Sequence, residues 1–161
     1  RKEVLEFIAD KYDNFAIFGY GITNVAKDSH IRKVFRGWLE PDEIRKLISS
    51  SKIIINLTLD RYDFIKKGFN ARLFEVAACN GAVQILKDDN KIYDYFKKDN
   101  EVVVYSDLTE LKEKIDSLLL SNFRRNEISK NASLRVANFT FKRKAKMMLK
   151  KINDIANKNY V

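Results

Sequence analysis

The sequence predicts an α/β fold, a doubly wound parallel sheet of about five strands finished by C-terminal helices. Three observations predict it. Short β-branched or aromatic runs alternate with longer stretches of helical apolar spacing, and strands that alternate with helices lie parallel, joined by right-handed crossovers. One of those runs, Ile53 to Leu57, is continuously apolar except for Asn56, the pattern of a strand covered on both faces. Finally, 161 residues suffice for one unit that buries roughly two-thirds of the surface its unfolded chain exposes. No repeat, low-complexity segment or linker interrupts the chain, so residues 1–161 read as one domain.

Val4, Leu5, Phe7 and Ile8 recur at helical spacing, and the Asp13-Asn14 turn ends that first helix. Phe15 to Phe18 is then a short strand running into Gly19-Tyr20-Gly21. Val34-Phe35 is a second brief strand, followed by Gly37-Trp38 and a helix opened by Pro41, the only proline. Proline suits the first helical turn, where its missing N–H has no partner to lose, and Asp42 and Glu43 suit the positive end of the helix dipole. Ile44, Leu47 and Ile48 supply that helix's buried stripe. A Ser-rich turn leads into the third strand, Ile53 to Leu57, and a charged loop into Ala71 to Cys79, a helix apolar nearly all round and hence expected to be buried. Ala82 to Leu86 and Val102 to Tyr105 are the fourth and fifth strands, with a polar helix around Ile92 to Phe96 between them. Leu108, Leu111, Ile115, Leu118 and Leu119 mark an amphipathic helix capped by Asp107 or Thr109. From Asn122 onward the pattern is helical, with Phe141, Ala145, Leu149 and Ile152 in one stripe.

Composition narrows the function. The single cysteine, Cys79, lies in an apolar run, which rules out an internal disulfide framework and suits a small core residue in a reducing, cytoplasmic setting. No apolar run approaches the roughly 20 residues that cross a bilayer, and no charged-then-apolar leader opens the chain. The chain begins at Arg1, already inside a helical pattern, as expected of a piece of something longer. Its net charge of +9 is confined to one end: 20 Lys/Arg balance 20 Asp/Glu from Arg1 to Ser121, whereas 11 Lys/Arg face only Glu127 and Asp154 beyond it. A basic tail of this kind is a solvated helical face, or a dock for an anionic membrane surface or an acidic partner. Nucleic acid is not expected, because the tail lacks the interleaved aromatics of a single-strand platform.

Doubly wound sheets bind ligands at the carboxyl ends of their strands, so functional residues should follow Phe18, Phe35, Leu57, Leu86 and Tyr105. Gly19-Tyr20-Gly21 is the first such place: two glycines let backbone N–H groups approach an anion, although a plain turn needs the same residues. The second runs from Lys66 through Lys67, Gly68, Asn70 and Arg72 to Glu75. Lysines, a glycine and an arginine at a helix start combine charge with free N–H groups, a chemistry suited to a diphosphate. Glu75 interrupts an apolar helix. It is either bound to ligand hydroxyls or paired with Arg72, three residues earlier on the same face. His30 reads as a surface residue without an acidic orienter, Asp88-Asp89 as a solvated turn, Trp38 as packing or a base-stacking ring, and Tyr105 as a strand end near the expected cleft.

Gly68-Phe69-Asn70, Arg72-Leu73-Phe74-Glu75, Ala78-Cys79, Gly81 and Val83 to Leu86 follow one another in an order that resembles the signature region of two-domain (GT-B) glycosyltransferases, in particular the CgeB-like group. Ile17-Phe18-Gly19, Phe35-Arg36-Gly37-Trp38 and Glu101 to Asp107 resemble other segments of that family, so the likeness covers nearly the whole chain. It implies the Rossmann-like, donor-binding half of such an enzyme, with a nucleotide-diphosphate sugar as substrate, no cofactor and no metal. Glu75 would hydrogen-bond the donor ribose; Gly19, Tyr20, Gly21, Arg61, Lys67, Asn70, Ala71 and Arg72 would hold the diphosphate; Gly37, Trp38 and Leu39 would lie near the base. The acceptor and any general base would belong to an N-terminal domain, leaving this chain inactive alone. Two residues depart from the pattern. Lys67 stands where many relatives carry a glutamate eight positions before the ribose-binding one, which favours a non-catalytic binding module as the alternative, and Asn80 is an extra residue between Cys79 and Gly81.

Overall fold

A computed structural model describes residues 1–20, 22–57 and 71–158. Its sheet has three strands, β1 (Ile53–Asn56), β2 (Val83–Lys87) and β3 (Val103–Tyr105), all parallel in the order β1-β2-β3. Ile53 pairs with Val83, and Ile85 with Val103. Helices α1 (Lys2–Lys11), α2 (His30–Val34) and α3 (Pro41–Ser50) precede the sheet, and α4 (Arg72–Ala78) connects β1 to β2. A 3-10 turn, Asn90–Asp94, lies between β2 and β3, and α5 (Leu108–Leu120), α6 (Asn122–Val136) and α7 (Phe141–Lys158) complete the described chain.

The two faces of β2 and β3 sort by the period of two that strands impose. Val83, Ile85, Val103 and Tyr105 pack with Ile8 of α1 and with Leu111, Ile115 and Leu118 of α5. Leu86, Val102 and Val104 pack on the other side with Leu73 and Ala77 of α4 and with Ala132 and Val136 of α6. Helices therefore cover the sheet on both sides, as a doubly wound arrangement requires. β1 differs. Ile53 and Ile55 pack on the α1 and α5 side and Ile54 on the side of Ile48 and Val76, so both faces are covered as the apolar run predicts, but the three are only half-buried because β1 is the outer strand of the described sheet.

About five strands were expected, and three form among the described residues. The first two candidates shrink to one parallel bridge, Ile17 with Phe35. Ile17 N–H donates to Val34 O at 2.9 Å and its carbonyl accepts from Arg36 N–H at 2.9 Å, so the pairing is real but short. Two local preferences cut it off. α2 runs through Val34, leaving only Phe35 extended, and Gly19 and Gly37 leave extended geometry at φ +143° and +87°. These are backbone conformations that L side chains rarely adopt.

The remaining elements follow their sequence signals closely. Pro41 sits at the start of α3, and Glu40 N–H donates to the Glu43 carboxylate at 2.8 Å. Asp107 caps α5 by accepting from Glu110 N–H at 2.9 Å, while Glu110 itself accepts from Ser106, whose hydrogen bonds hold its carboxyl below the ordinary range. Asp88 receives the Tyr93 hydroxyl at 2.5 Å and Asp89 caps the 3-10 turn, so the acidic pair serves a turn. Arg125 of α6 is buried and donates to the carbonyls of Leu118 and Leu119 in the last turn of α5, of which the Leu118 carbonyl also accepts from Ser121 N–H at 3.3 Å.

Two packing details position α4. Gln84 in the middle of β2 is buried, accepts from the Asn56 amide at 3.3 Å and donates to Leu73 O at 2.8 Å, tying strand ends to the first turn of α4. Beyond the helix, Asn80 adopts a left-handed φ of 50° and Gly81 lies against α3, where a Cβ would stand 2.3 Å from Ser49 O. The extra Asn80 thus turns the chain, and the glycine after it permits the close approach.

Candidate functional site

Glu75 emerges on solvent. Around α4, Leu73, Val76 and Ala77 are buried whereas Ala71, Arg72, Glu75 and Ala78 are exposed, so the helix has one wet face. The expectation of a helix buried all round fails because α4 is covered by the sheet, α6 and α3 on one side only. Its carboxylate consequently needs no desolvation partner. No hydrogen bond or ion pair holds the Glu75 side chain among the described residues, and Arg72 beside it is likewise unpaired, so the internal Arg72–Glu75 pair does not form. A free carboxylate and a free guanidinium thus stand on one exposed face, one an acceptor for hydroxyls and the other a bidentate donor for phosphate oxygens. Behind them Phe74 is fixed in an aromatic cluster with Tyr95, Phe96 and Phe139 at ring-centroid distances of 5.4, 5.9 and 5.7 Å.

The second group gathers at the carboxyl ends of the Ile17–Phe35 pair. Gly19 N–H donates to Gly37 O at 2.8 Å, and the residues that follow each glycine, Tyr20 and Trp38, stack with ring centroids 5.8 Å apart and 30° between planes. Tyr20 is 81% and Trp38 45% exposed, so the pair presents aromatic surface to solvent and is not core packing. Sequence reading assigned Tyr20 to phosphate and Trp38 to the base. The structure unites them, and the signal was available: Gly-Tyr and Gly-Trp occupy matching positions after two paired segments. Leu39 continues the extended segment and is half-buried.

Other expected residues divide differently. Gly21, Arg61, Lys67 and Asn70 lie outside the described residues. Ala71 is the N-cap position of the seven-residue α4 and makes no side-chain cap hydrogen bond. Tyr105 is buried in the core against β2, its phenol pushed up by burial, and is not a cleft residue. Cys79 is a free, half-buried thiol at the end of α4. Among the described residues no hydrogen bond or ring contact joins the Tyr20–Trp38 pair to the Glu75 face.

His30 departs from expectation. It opens α2 behind the Ser29 cap, and its Nδ1 lies 3.2 Å from Asp10 of α1, so the imidazole does have an acidic neighbour. Asp10 is held below the usual carboxylate range by its hydrogen bond from Lys11, with His30 adding to the effect. Residues Glu6, Phe7, Asp10, Ala26, Asp28, Ser29 and His30 line an open cleft of about 460 Å³ between these helices. The pairing spans 20 residues of sequence and joins two helices, which is why spacing alone did not show it.

The model of the glycosyl transferase-like family matches residues 1–150, nearly the whole chain. No curated protein matches the sequence.

Proposed function

The chain belongs to the glycosyl transferase-like family, and from that premise we propose that it is the half of a glycosyltransferase that binds a nucleotide-diphosphate sugar. The observation that carries this reading is the unpaired Glu75 beside the unpaired Arg72 on the exposed face of α4. Glu75 accepts hydrogen bonds from the vicinal ribose hydroxyls, which a carboxylate can do with both oxygens at once. Arg72, with the backbone near Gly19, neutralises the diphosphate as it leaves, the charge development that dominates transfer from such donors. The exposed Tyr20–Trp38 pair stacks on the base, and Gly37 and Leu39 border it. Gly21, Arg61, Lys67, Asn70 and Ala71 complete the diphosphate side in this reading. Within the family we assign the chain to the two-domain, CgeB-like group, on the order of Arg72-Leu73-Phe74-Glu75, Ala78-Cys79 and Gly81. The acceptor and the base that activates it come from an N-terminal domain, and the 161-residue chain alone turns over little or no donor.

Lys67, where relatives place a glutamate, favours a second reading, a binding module that has lost transfer. Titrating UDP, GDP and their sugars into the purified chain tests both readings, since each requires binding that depends on Glu75. Glu75→Ala should weaken the best ligand about 10- to 100-fold, the worth of hydrogen bonds to a charged group. Because Glu75 is exposed and unbonded, thermal unfolding of the variant should match the parent. Absence of nucleotide binding, or binding indifferent to Glu75, rejects the assignment.

A further inference from the structure

Gln84 is an amide where the strand pattern asks for an apolar side chain. It stands between Val83 and Ile85, which pack toward α1 and α5, so by strand alternation it shares the opposite face with Ala82 and Leu86. On that face Ala82 packs with Ile48 and Val76, and Leu86 with Leu73 and Ala77. The carboxamide therefore lies beneath α4, between two apolar contacts, and is only 2% exposed. An aliphatic residue there would bury comparable surface and require no partners, whereas a buried amide costs stability unless its groups are bonded.

Both ends of this amide are bonded. Leu73 O can only accept, so Nε2 faces it at 2.8 Å, and Oε1 receives the Asn56 amide at 3.3 Å. Asn56 is itself buried and stands on the same sheet face, two residues beyond Ile54, the residue that pairs with Gln84. Two carboxamides thus form a chain inside the core from the end of β1 through β2 to α4. They arrive at the first turn of α4, where Leu73 lies between Arg72 and Glu75. α4 has only seven residues, and its buried Leu73, Val76 and Ala77 meet their neighbours through apolar contacts, which are non-directional. A hydrogen bond is directional, and this one sets where the helix rests along and about its axis.

We propose that Gln84 is a positioning residue for the donor site: held by Asn56, it locks the first turn of α4 so that Arg72 and Glu75 meet the diphosphate and the ribose of one donor together. The inference rests on the reading of Arg72 and Glu75 as the donor-binding pair and adds the part of the core that aims them. Buried beneath the helix, Gln84 reaches no donor atom itself, and its effect passes through α4. Small displacements of a binding group cost affinity steeply, so a residue that sets the position of two such groups is felt in binding.

Calorimetric titration of UDP and GDP into the 161-residue chain, well below its unfolding temperature, tests this with two variants. Gln84→Met keeps an unbranched side chain of similar length and removes both hydrogen bonds. It should weaken the tighter nucleotide roughly tenfold. Gln84→Glu carries its own switch. A protonated carboxyl donates to Leu73 O and accepts from Asn56 as the amide does, whereas a carboxylate only accepts and sets an anion against Leu73 O. Burial raises a carboxyl above its ordinary value of about 4.3. At about pH 5 this variant should therefore bind as the parent does, and at about pH 8 roughly tenfold more weakly or worse, each compared with the parent at the same pH. A residue that served packing alone would show no such pH profile. Parent affinity in Gln84→Met, with or without a lowered unfolding temperature, would overturn the inference and leave the donor reading intact. So would a loss in Gln84→Glu of equal size at both pH values. A parent chain that binds neither nucleotide would overturn the inference and the donor reading together.

Discussion

Single residues decide most of what this molecule presents to solvent. Glu75 looked costly in the sequence because its neighbours are apolar, and the structure removes the cost by turning it outward. What local spacing cannot show is which side of a short helix meets the sheet, since α4 has small residues, Ala71 and Ala78, on its exposed face as well as Ala77 on its buried one. The Tyr20–Trp38 stack likewise depends on register between two segments 18 residues apart. Tyr12 illustrates the same point for stability. Its hydroxyl donates to Asp116 at 2.8 Å, tying the end of α1 to α5. Burial, then the hydrogen bond and charge of Asp116, push the Tyr12 phenol well above its usual range. A folded-state value above the unfolded one means stability that is complete below the unfolded value of about 10 and falls as pH rises past it. Unfolding temperatures measured from neutral pH to pH 11 should therefore drop more steeply for the parent than for Tyr12→Phe above about pH 10.

At the scale of elements, the signals that survived are those carried within a few residues. Pro41 opened a helix, Asp107 capped one, and the apolar runs at β1, β2 and β3 became strands within a residue of their expected ends. The elements that changed are those whose length depends on something distant. Phe15 to Phe18 and Val34-Phe35 had strand composition, yet α2 and the left-handed glycines reduced them to one bridge. The helix expected around Ile92 to Phe96 became a 3-10 turn, with Ile92 and Phe96 still buried. Gly81 joins three elements at once, since it ends the turn from α4, precedes β2 and touches the backbone of α3. A methyl group there meets backbone, not a movable side chain, so α3 must shift. Gly81→Ala should destabilise the chain by about 1–3 kcal/mol in denaturant unfolding.

The whole molecule resolves into a two-faced α/β body and a basic helix beyond it. That division was half legible: the charge map located the excess after Ser121, and the Phe141 stripe was visible at its helical period. Neither could show that the stripe finds no cover among the described residues, because burial is a property of the assembled fold. Removing residues 141–161 should accordingly shift the unfolding midpoint by less than about 2 °C, the size of a change under 1 kcal/mol in a domain of this length. A large shift in differential scanning calorimetry would mean that α7 contributes to the core.

The claim that organises the molecule is that Glu75 reads a ribose, and a thermodynamic cycle isolates it. Affinities of the parent and Glu75→Ala would be measured calorimetrically for the preferred nucleoside diphosphate and for its 2′,3′-dideoxy analogue. If the carboxylate holds both hydroxyls, either change alone weakens binding and the second adds almost nothing to the first. Independent, additive losses, or a parent that binds the dideoxy analogue as tightly as the ribonucleotide, would contradict it.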